Sequence, residues 1–431
     1  MTSSFTERPA GSIYMGDYAD KPIPKPRMAF IGAGRRAGYL ARVLAQIEGT
    51  EIVALCDLNE DAASELADKL EGLGQARPAL FCEGEKAYLR MLAEAKPDAV
   101  FVTVGWQFHE ALACEVMEHG CHAFVEVPLA IAIDKIWKVV DTAERCQRHC
   151  MMMENACYDR QELLFLNMVR QGAIGEILHG EGAYIHDLRF TLTDENRSEA
   201  EWRAQHYVER NGNLYPTHGV GSVSQYMSLG RGTDNYSHLV SLSSRSIGFS
   251  NYVQEQFPDD HELNNQDFAC GDINTSIIKT KLGNTIMLQW DECTPRPYTR
   301  HNFIQGTKGV LAGFPTRVYA EEFVGDVAHD WLRGDELAPV VEKYEHPLWK
   351  RLGEKAVEIG GTRARDYLML SRIVEALQLG APMDQNVYEG AFWSSISKLS
   401  EQSVAADGAP AYFPDFTRGD WKTTKPLGIV Y

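Results

Sequence analysis

The sequence predicts a two-part α/β architecture: a doubly wound parallel sheet, then an α+β domain on a mostly antiparallel sheet. Three observations carry this. Residues 27–150 alternate short, wholly apolar runs with amphipathic helical stretches, as a parallel sheet covered on both faces requires. From Gly180 onwards the strand-like runs alternate apolar and polar residues, as in a sheet with one open face. The 431 residues also exceed what a single core usually holds.

Residues 1–26 form an arm with four prolines and little periodicity, expected to wrap over the surface. Met28–Ile31 reads as a buried strand. Gly32 and Gly34 then supply a turn that suits glycine, and Ala37 stands where a third small residue lets the next helix pack closely. That helix, Arg36–Gln46, aims its N-terminal N–H groups at the turn, which favours a pyrophosphate there. Glu51–Cys56 is the second strand. Asp57 closes it at about the distance of a carboxylate that accepts from a ribose 2′-OH. A 2′-phosphate is repelled by Asp57, so the expected cofactor is NAD(H). Arg35 and Arg36, inside the turn, are expected to face solvent or the pyrophosphate.

The alternation continues with a helix at Asp61–Leu70, a strand at Ala79–Cys82, a helix at Glu85–Glu94 and a central strand at Ala99–Val104. Trp106 and His109 lie just past that strand's carboxyl end, where open sheets bind ligands, and are candidate cofactor contacts. A helix at His109–His119 leads to the strand His122–Glu126 and the turn Glu126-Val127-Pro128. A helix at Ala130–Gln147 and a strand at His149–Glu154 follow, with Asn155 and Tyr158 just beyond. The dinucleotide-binding Rossmann domain is thus expected over 27–155 and the second domain over 156–431. In the latter, a helix at Glu162–Gln171 precedes strands at Gly180–His186, Tyr236–Leu242, Gly271–Lys281 and Thr285–Asp291. Helices at Arg363–Leu379 and Tyr388–Ser400 are expected to pack back on the first domain. The open sheet face suits a homodimer.

A net charge of −18 makes nucleic acid and anionic membranes poor partners. No apolar run reaches transmembrane length and the N-terminus lacks a signal-peptide pattern, so a cytoplasmic location is expected. The nine cysteines fit reducing conditions. Cys146, His149, Cys150 and Cys157 straddle a helix end and the next strand, with no C-x-x-C, and no metal site is expected.

The richest chemical stretch is Asn211–Gly221, in which Tyr215 and His218 stand three apart in a polar, glycine-rich setting ahead of a helix. That pairing suits acid/base work. Three further polar clusters sit near strand ends: Tyr184–Arg189, Gly271–Thr275 and Pro295–Arg300.

The turn Glu126-Val127-Pro128 resembles the E-K-P turn of the Gfo/Idh/MocA oxidoreductases, with Val127 in place of the lysine that helps proton transfer there. The motifs GAGRRAG, WQFH, EVP, MMMENACYDR, AYIHDLR, NLYPTHGVGS, GDINTSIIKT, RPYTR with GTKG, and YFPDFTRGDW together resemble glycoside hydrolase family 109. This is the branch whose named activity is α-N-acetylgalactosaminidase. The resemblance implies tightly held, recycled NAD and a glycoside substrate oxidised transiently at C3, with elimination of the aglycone, water addition and re-reduction. It places Tyr215, His218, Tyr158 and Glu126 in catalytic positions. It also places Tyr158, Tyr215 and Tyr298 against substrate and Glu126 near the cofactor. Arg189, unless it only salt-bridges Asp187, is a further candidate substrate contact and Asn155 a further candidate cofactor contact. Tyr158 is the candidate base at C2. The alternatives are a glycosidase of another sugar, such as a sulfoquinovosidase, a plain NAD-dependent sugar or cyclitol dehydrogenase, or a sensor that binds without turnover.

Overall fold

The computed structural model describes residues 7–194, 198–324 and 329–428. In chain order its elements begin with β1 (Arg27–Ile31), α1 (Arg35–Leu44), β2 (Glu51–Cys56), α2 (Glu60–Gly72), β3 (Ala79–Phe81), α3 (Ala87–Ala95), β4 (Ala99–Val102) and α4 (His109–Glu118). Next come β5 (His122–Val125), α5 (Ile133–Cys146), β6 (Cys150–Met152), α6 (Arg160–Arg170), β7 (Ile177–Ile185), α7 (Arg189–Leu192), α8 (Ser198–Glu209) and α9 (Thr217–Met227). They continue with β8 (Tyr236–Ser243), α10 (Gly248–Gln256), β9 (Asn274–Thr280), β10 (Thr285–Asp291), β11 (Phe303–Gly306), β12 (Gly309–Ala312), β13 (Arg317–Ala320), α11 (Glu321–Val324) and β14 (Leu332–Arg333). The last are α12 (Ala338–Tyr344), α13 (Pro347–Gly360), α14 (Ala364–Leu379), α15 (Val387–Ala405) and β15 (Ala411–Tyr412).

The chain forms two compact units that do not follow chain order. The first gathers Met1–Arg160, Pro347–Ala391 and Asp415–Tyr431. Its six strands are all parallel, in the order β3-β2-β1-β4-β5-β6. This is the doubly wound order of dinucleotide-binding sheets. The apolar runs explain it: β4 and β5 are buried along their whole length, and Phe30, Phe101 and Phe124 stack across β1, β4 and β5 with ring centres 4.7 and 5.3 Å apart. On α1, Ala37, Leu40, Ala41 and Leu44 recur at helical spacing and are buried. Asn59 starts α2 by accepting from the Ala62 N–H at 3.1 Å. From far along the chain, α14 packs on α1 and α13 on α14.

Residues 7–26 are pinned within this unit. Arg8 pairs with the fully buried Glu144 at 3.1 Å and with Asp420 at 2.8 Å. Tyr14 stacks on Tyr388 at 4.9 Å, and the Ile23 N–H donates to the Leu377 carbonyl at 2.9 Å.

The same unit buries two histidines side by side. His122 Nδ1 accepts from the His149 N–H at 3.1 Å, with Asp20, Arg148 and Tyr18 around them. Burial, with His149 adding to it, pushes His122 from its ordinary 6.5 down to about 3, and burial takes His149 to about 4. The unfolded chain protonates both near pH 6.5, whereas the folded one resists to about pH 4 and then about pH 3. Their contribution is therefore whole above pH 6.5 and is lost as pH falls through that window. The melting temperature should drop steadily from pH 6.5 to pH 4, and less steeply in His149→Gln. Equal slopes in the two proteins would discard this cause.

The second unit comprises Gln161–His346 and Phe392–Pro414. Its nine strands run β14-β13-β12-β11-β7-β10-β9-β8-β15. All neighbours are antiparallel except β7 with β10. Alternation sets the faces: along β9, Asn274, Ser276, Ile278 and Thr280 are buried while Ile277 is exposed. Trp290 on β10 joins Tyr207 and Phe249 in a core on the covered side. Leu178, Leu242, Ile277 and Tyr412 remain exposed on strands of this sheet. The short strands β11–β14 and the helix α13 were outside the sequence-based expectation. Among the described residues no helix is long and apolar enough to cross a membrane.

Candidate active site

In the first unit the candidate residues gather at the carboxyl edge of the parallel sheet. Gly32 has φ +98°, and a Cβ there would meet the Thr103 carbonyl oxygen at 2.4 Å. Gly34 has open space above it, so a ligand can approach the backbone closely. The first turn of α1 has no acidic residue and no side-chain cap, which leaves its N–H groups for an anion. Asp57 turns back to the loop: its carboxylate accepts from the Ala33 N–H at 2.5 Å and the Asn59 N–H at 2.8 Å. Arg35 is exposed.

Arg36 departs from the expectation that it faces solvent or pyrophosphate. Its Nε donates to Glu126 at 2.6 Å and its NH2 to Asp366 at 2.9 Å. Asp366, reaching in from α14, also accepts from Asn155 Nδ2 at 2.8 Å. Burial alone would raise the Asp366 carboxyl, but Arg36 holds it below the usual range. Asn155 Oδ1 is left buried without a protein partner, an acceptor suited to a ligand N–H. These glycines, helix N–H groups, Asp57 and Asn155 fit a bound NAD.

Two assignments are corrected by their surroundings. His109 was expected to touch cofactor. Its ring is buried instead, with Nδ1 2.6 Å from the Pro128 carbonyl oxygen and Nε2 3.0 Å from that of Val104. Burial lowers its pKa, and the neutral ring donates its single N–H to one of these two carbonyls, which makes His109 a positioning residue between the end of β4 and the turn after β5. Tyr158 was expected to act as base. Its hydroxyl donates to Asp384 at 3.2 Å, and Asp384 is held by both arms of Arg372 at 3.0 Å. Burial and then Asp384 push the phenol well above its ordinary value, so Tyr158 keeps its proton and serves as a donor. Trp106 is buried in a 3-10 turn after β4.

The second unit brings together Tyr184, His186, Tyr215, His218 and Tyr298. Tyr184 is the hub: Tyr215 stacks on it at 4.5 Å, and His186, His218 and Tyr298 meet its ring edge-on at 4.8, 5.1 and 6.5 Å. Tyr215 and His218 lie 5.0 Å apart. His218 stands inside the first turn of α9, where a loop was expected. Glycine lets α9 sit so close to β7: a Cβ on Gly182 would be 2.2 Å from the Gly219 carbonyl oxygen.

Charge around the cluster is balanced. Glu292, fully buried, is bound by Arg203 and Tyr207, and Arg203 also lies over the Tyr215 ring. Arg300 binds Glu162 and donates to the Tyr298 hydroxyl at 2.7 Å. Burial, with Glu292, raises the Tyr184 phenol. Burial, with Arg203 and His218, takes His186 down to about 4, and its Nε2 is buried with no partner. Arg189, which the sequence left open between substrate contact and a salt bridge with Asp187, makes that salt bridge at 2.8 and 2.9 Å. In the Gly271–Thr275 cluster, Asp272 accepts from the N–H groups of Ile247 and Gly248 at the start of α10, a structural role.

Tyr184 and His186 lie in the polar cluster marked in the sequence without a role of their own, whereas Arg203, Glu292, Asp366 and Asp384 carry no mark there. Tyr184 and His186 had a signal, since they stand two apart at a strand end and so share a face. The paired charges had none. Among the described residues no group of three or more His, Cys, Asp or Glu is arranged to hold a metal.

A parallel sheet with a dinucleotide turn, joined to a mostly antiparallel second unit, defines an NAD-binding oxidoreductase fold of the Gfo/Idh/MocA class. The family described as "Oxidoreductase family, NAD-binding Rossmann fold" matches residues 26–154, and "Glycosyl hydrolase 109, C-terminal domain" matches 158–423. Glycosyl hydrolase family 109 protein 1 of Akkermansia muciniphila is 54% identical over 99% of this chain and 89% of its own. A family 109 protein of Shewanella pealeana is 47% identical over 98% and 91%. The chain belongs to glycosyl hydrolase family 109. Among solved structures, an NAD binding oxidoreductase from Klebsiella pneumoniae aligns with a TM-score of 0.69 at 16% identity, over 91% of this chain and 100% of that one. Scyllo-inositol dehydrogenase from Lactobacillus casei, with bound NAD(H) and scyllo-inositol, gives 0.63 at 14% identity over 90% and 99%. These two likenesses concern the fold.

Proposed function

We propose that this enzyme cleaves a neutral glycoside, an α-N-acetylgalactosaminide first among them, by transient oxidation at C3 of the sugar. The cluster around Tyr184 carries the reading. It offers phenols and imidazoles that handle protons, while the carboxylates among its described neighbours, Glu292, Glu162 and Asp187, are each bound to an arginine. Hydrolysis without a redox step uses two available carboxyls, about 5–9 Å apart, on either side of the scissile bond.

NAD, when bound, supplies the acceptor that takes hydride from C3 and later returns it. His218, with Tyr215 beside it, takes the O3 proton at oxidation and restores it at reduction. The same pair donates to O3 while that oxygen carries enolate charge, after a base in the cluster has taken the C2 proton, which it returns to C2 when water adds. The aglycone then departs from C1 and water replaces it. Tyr158, whose proton is engaged by Asp384, offers its phenolic oxygen to accept from a substrate hydroxyl. The cofactor stays bound and is unchanged over a cycle. The pairing of Arg203, Arg300 and Arg189 favours a neutral sugar over a sulfonated one, which would have to compete with a carboxylate for a guanidinium.

The test is a panel of α- and β-p-nitrophenyl glycosides, with N-acetylgalactosamine and sulfoquinovose included, on protein stripped of cofactor. Aglycone release is expected to require catalytic NAD⁺, to accumulate no NADH, and to be faster with the N-acetylgalactosaminide than with the sulfoquinovoside. NADH accumulating on a free sugar without aglycone release would replace the reading by a dehydrogenase. Release that ignores NAD⁺ would end it.

A further inference from the structure

One cation at the carboxyl edge of the parallel sheet is shared by two anions. Arg36 donates from Nε to Glu126 at 2.6 Å, and from NH2 and NH1 to Asp366 at 2.9 and 3.2 Å. Asp366 is fully buried. Neighbouring cations have carboxylates of their own: Arg365 pairs with Asp159 at 2.7 Å and Arg372 with Asp384 at 3.0 Å. Arg35, next to Arg36, is exposed, where solvent and salt screen it. The triad of Arg36, Glu126 and Asp366 thus carries one surplus negative charge. Its members, with Asn155, bridge the residues that follow β1, β5 and β6, the edge at which open sheets take their ligands.

We infer that this surplus charge makes the site favour NAD⁺ over NADH. The two forms share the same pyrophosphate, so its repulsion by the triad cancels in their ratio. They differ in the nicotinamide ring, which is a cation in NAD⁺ and neutral in NADH. A fixed anion in a partly desolvated setting therefore stabilises the oxidised form selectively. An enzyme whose cycle begins by accepting hydride is idle if it takes up NADH from its surroundings. The triad keeps it in the state that can start. Asp366 matters most because it is the member that sequence motifs do not mark and that a distant helix delivers.

The inference rests on NAD binding to the first unit and not on which glycoside is cleaved, so it is tested without sugar. The full-length protein, stripped of cofactor, is titrated separately with NAD⁺ by calorimetry and with NADH by fluorescence. Asp366→Asn keeps size and one accepting oxygen for Arg36 and Asn155 but removes the surplus charge. It is expected to shift the ratio of Kd for NAD⁺ to Kd for NADH about tenfold in favour of NADH, on the order of one unit charge at an effective dielectric of about 20. Relief of pyrophosphate repulsion moves both constants alike and leaves that ratio untouched. Glu126→Gln, which removes the other carboxylate, is expected to do the same and serves if Asp366→Asn does not fold. Equal weakening of both forms would reduce the triad to a structural clamp. No change in either would overturn the inference as well.

Discussion

Replacing His218 by alanine should lower turnover by at least about 10²-fold on whichever glycoside the wild-type protein hydrolyses, the usual size of a general acid/base contribution. The ring sits 5.0 Å from Tyr215 and 5.1 Å from Tyr184, edge-on to both. Alanine therefore removes packing as well as a proton carrier, and the two losses must be separated. An edge-on aromatic contact is worth about 0.5–1.5 kcal/mol, so a loss of packing alone should show mainly in the melting temperature. Loss of the proton carrier should show in kcat with NAD binding unchanged, because His218 belongs to the second unit and the cofactor residues to the first. His218→Gln, which fills much of the space without titrating near neutrality, should melt closer to wild type and remain as slow as the alanine variant. Near-normal turnover of either variant would remove His218 from the chemistry.

The parts of this molecule that were legible in sequence are those written locally. The turn at Gly32 and Gly34, the buried runs of β1, β4 and β5, and the resemblance to family 109 all lie in contiguous residues. So does the pair Tyr215 and His218, three apart in the chain. What was not legible depends on residues brought together over long separations. Arg203 meets Glu292 across 89 positions and Arg36 meets Asp366 across 330. No spacing rule links such residues, and each alone reads as an ordinary surface charge. The strands β11–β13 have four residues each, too few for alternation to separate strand from loop. His109 shows the converse limit. Its position past β4 pointed to ligand contact, but position does not say where a ring points, and both of its nitrogens face backbone carbonyls. Tyr158 teaches the same for reactivity: its role as donor follows from Asp384, 226 residues away.

Gly219→Ala offers the second large effect, and its sign is set by two opposing terms. In an exposed helix interior, replacing glycine by alanine stabilises by up to about 1 kcal/mol, because alanine has less backbone freedom to lose. At Gly219, in the first turn of α9, the new Cβ would lie 2.6 Å from the Ala183 nitrogen and 2.9 Å from the Gly182 carbonyl carbon. Both are backbone atoms of β7, which cannot yield by changing rotamer. Overpacking a filled site costs typically about 1–3 kcal/mol, and a rigid obstacle puts this case at the upper end or beyond. The clash therefore wins, with a net loss of about 2 kcal/mol or more. For a unit of this size that lowers the melting temperature by roughly 4–8 °C. Relief requires α9 to move off β7, which carries His218 away from Tyr184, so kcat should fall with it. Gly38→Ala in α1 is the matched control, since its Cβ would meet only Leu66 Cδ1, at 3.9 Å. That variant should melt at or slightly above the wild-type temperature. If Gly219→Ala did the same and kept its turnover, the tight seat of α9 on β7 would have no part in holding His218 in place.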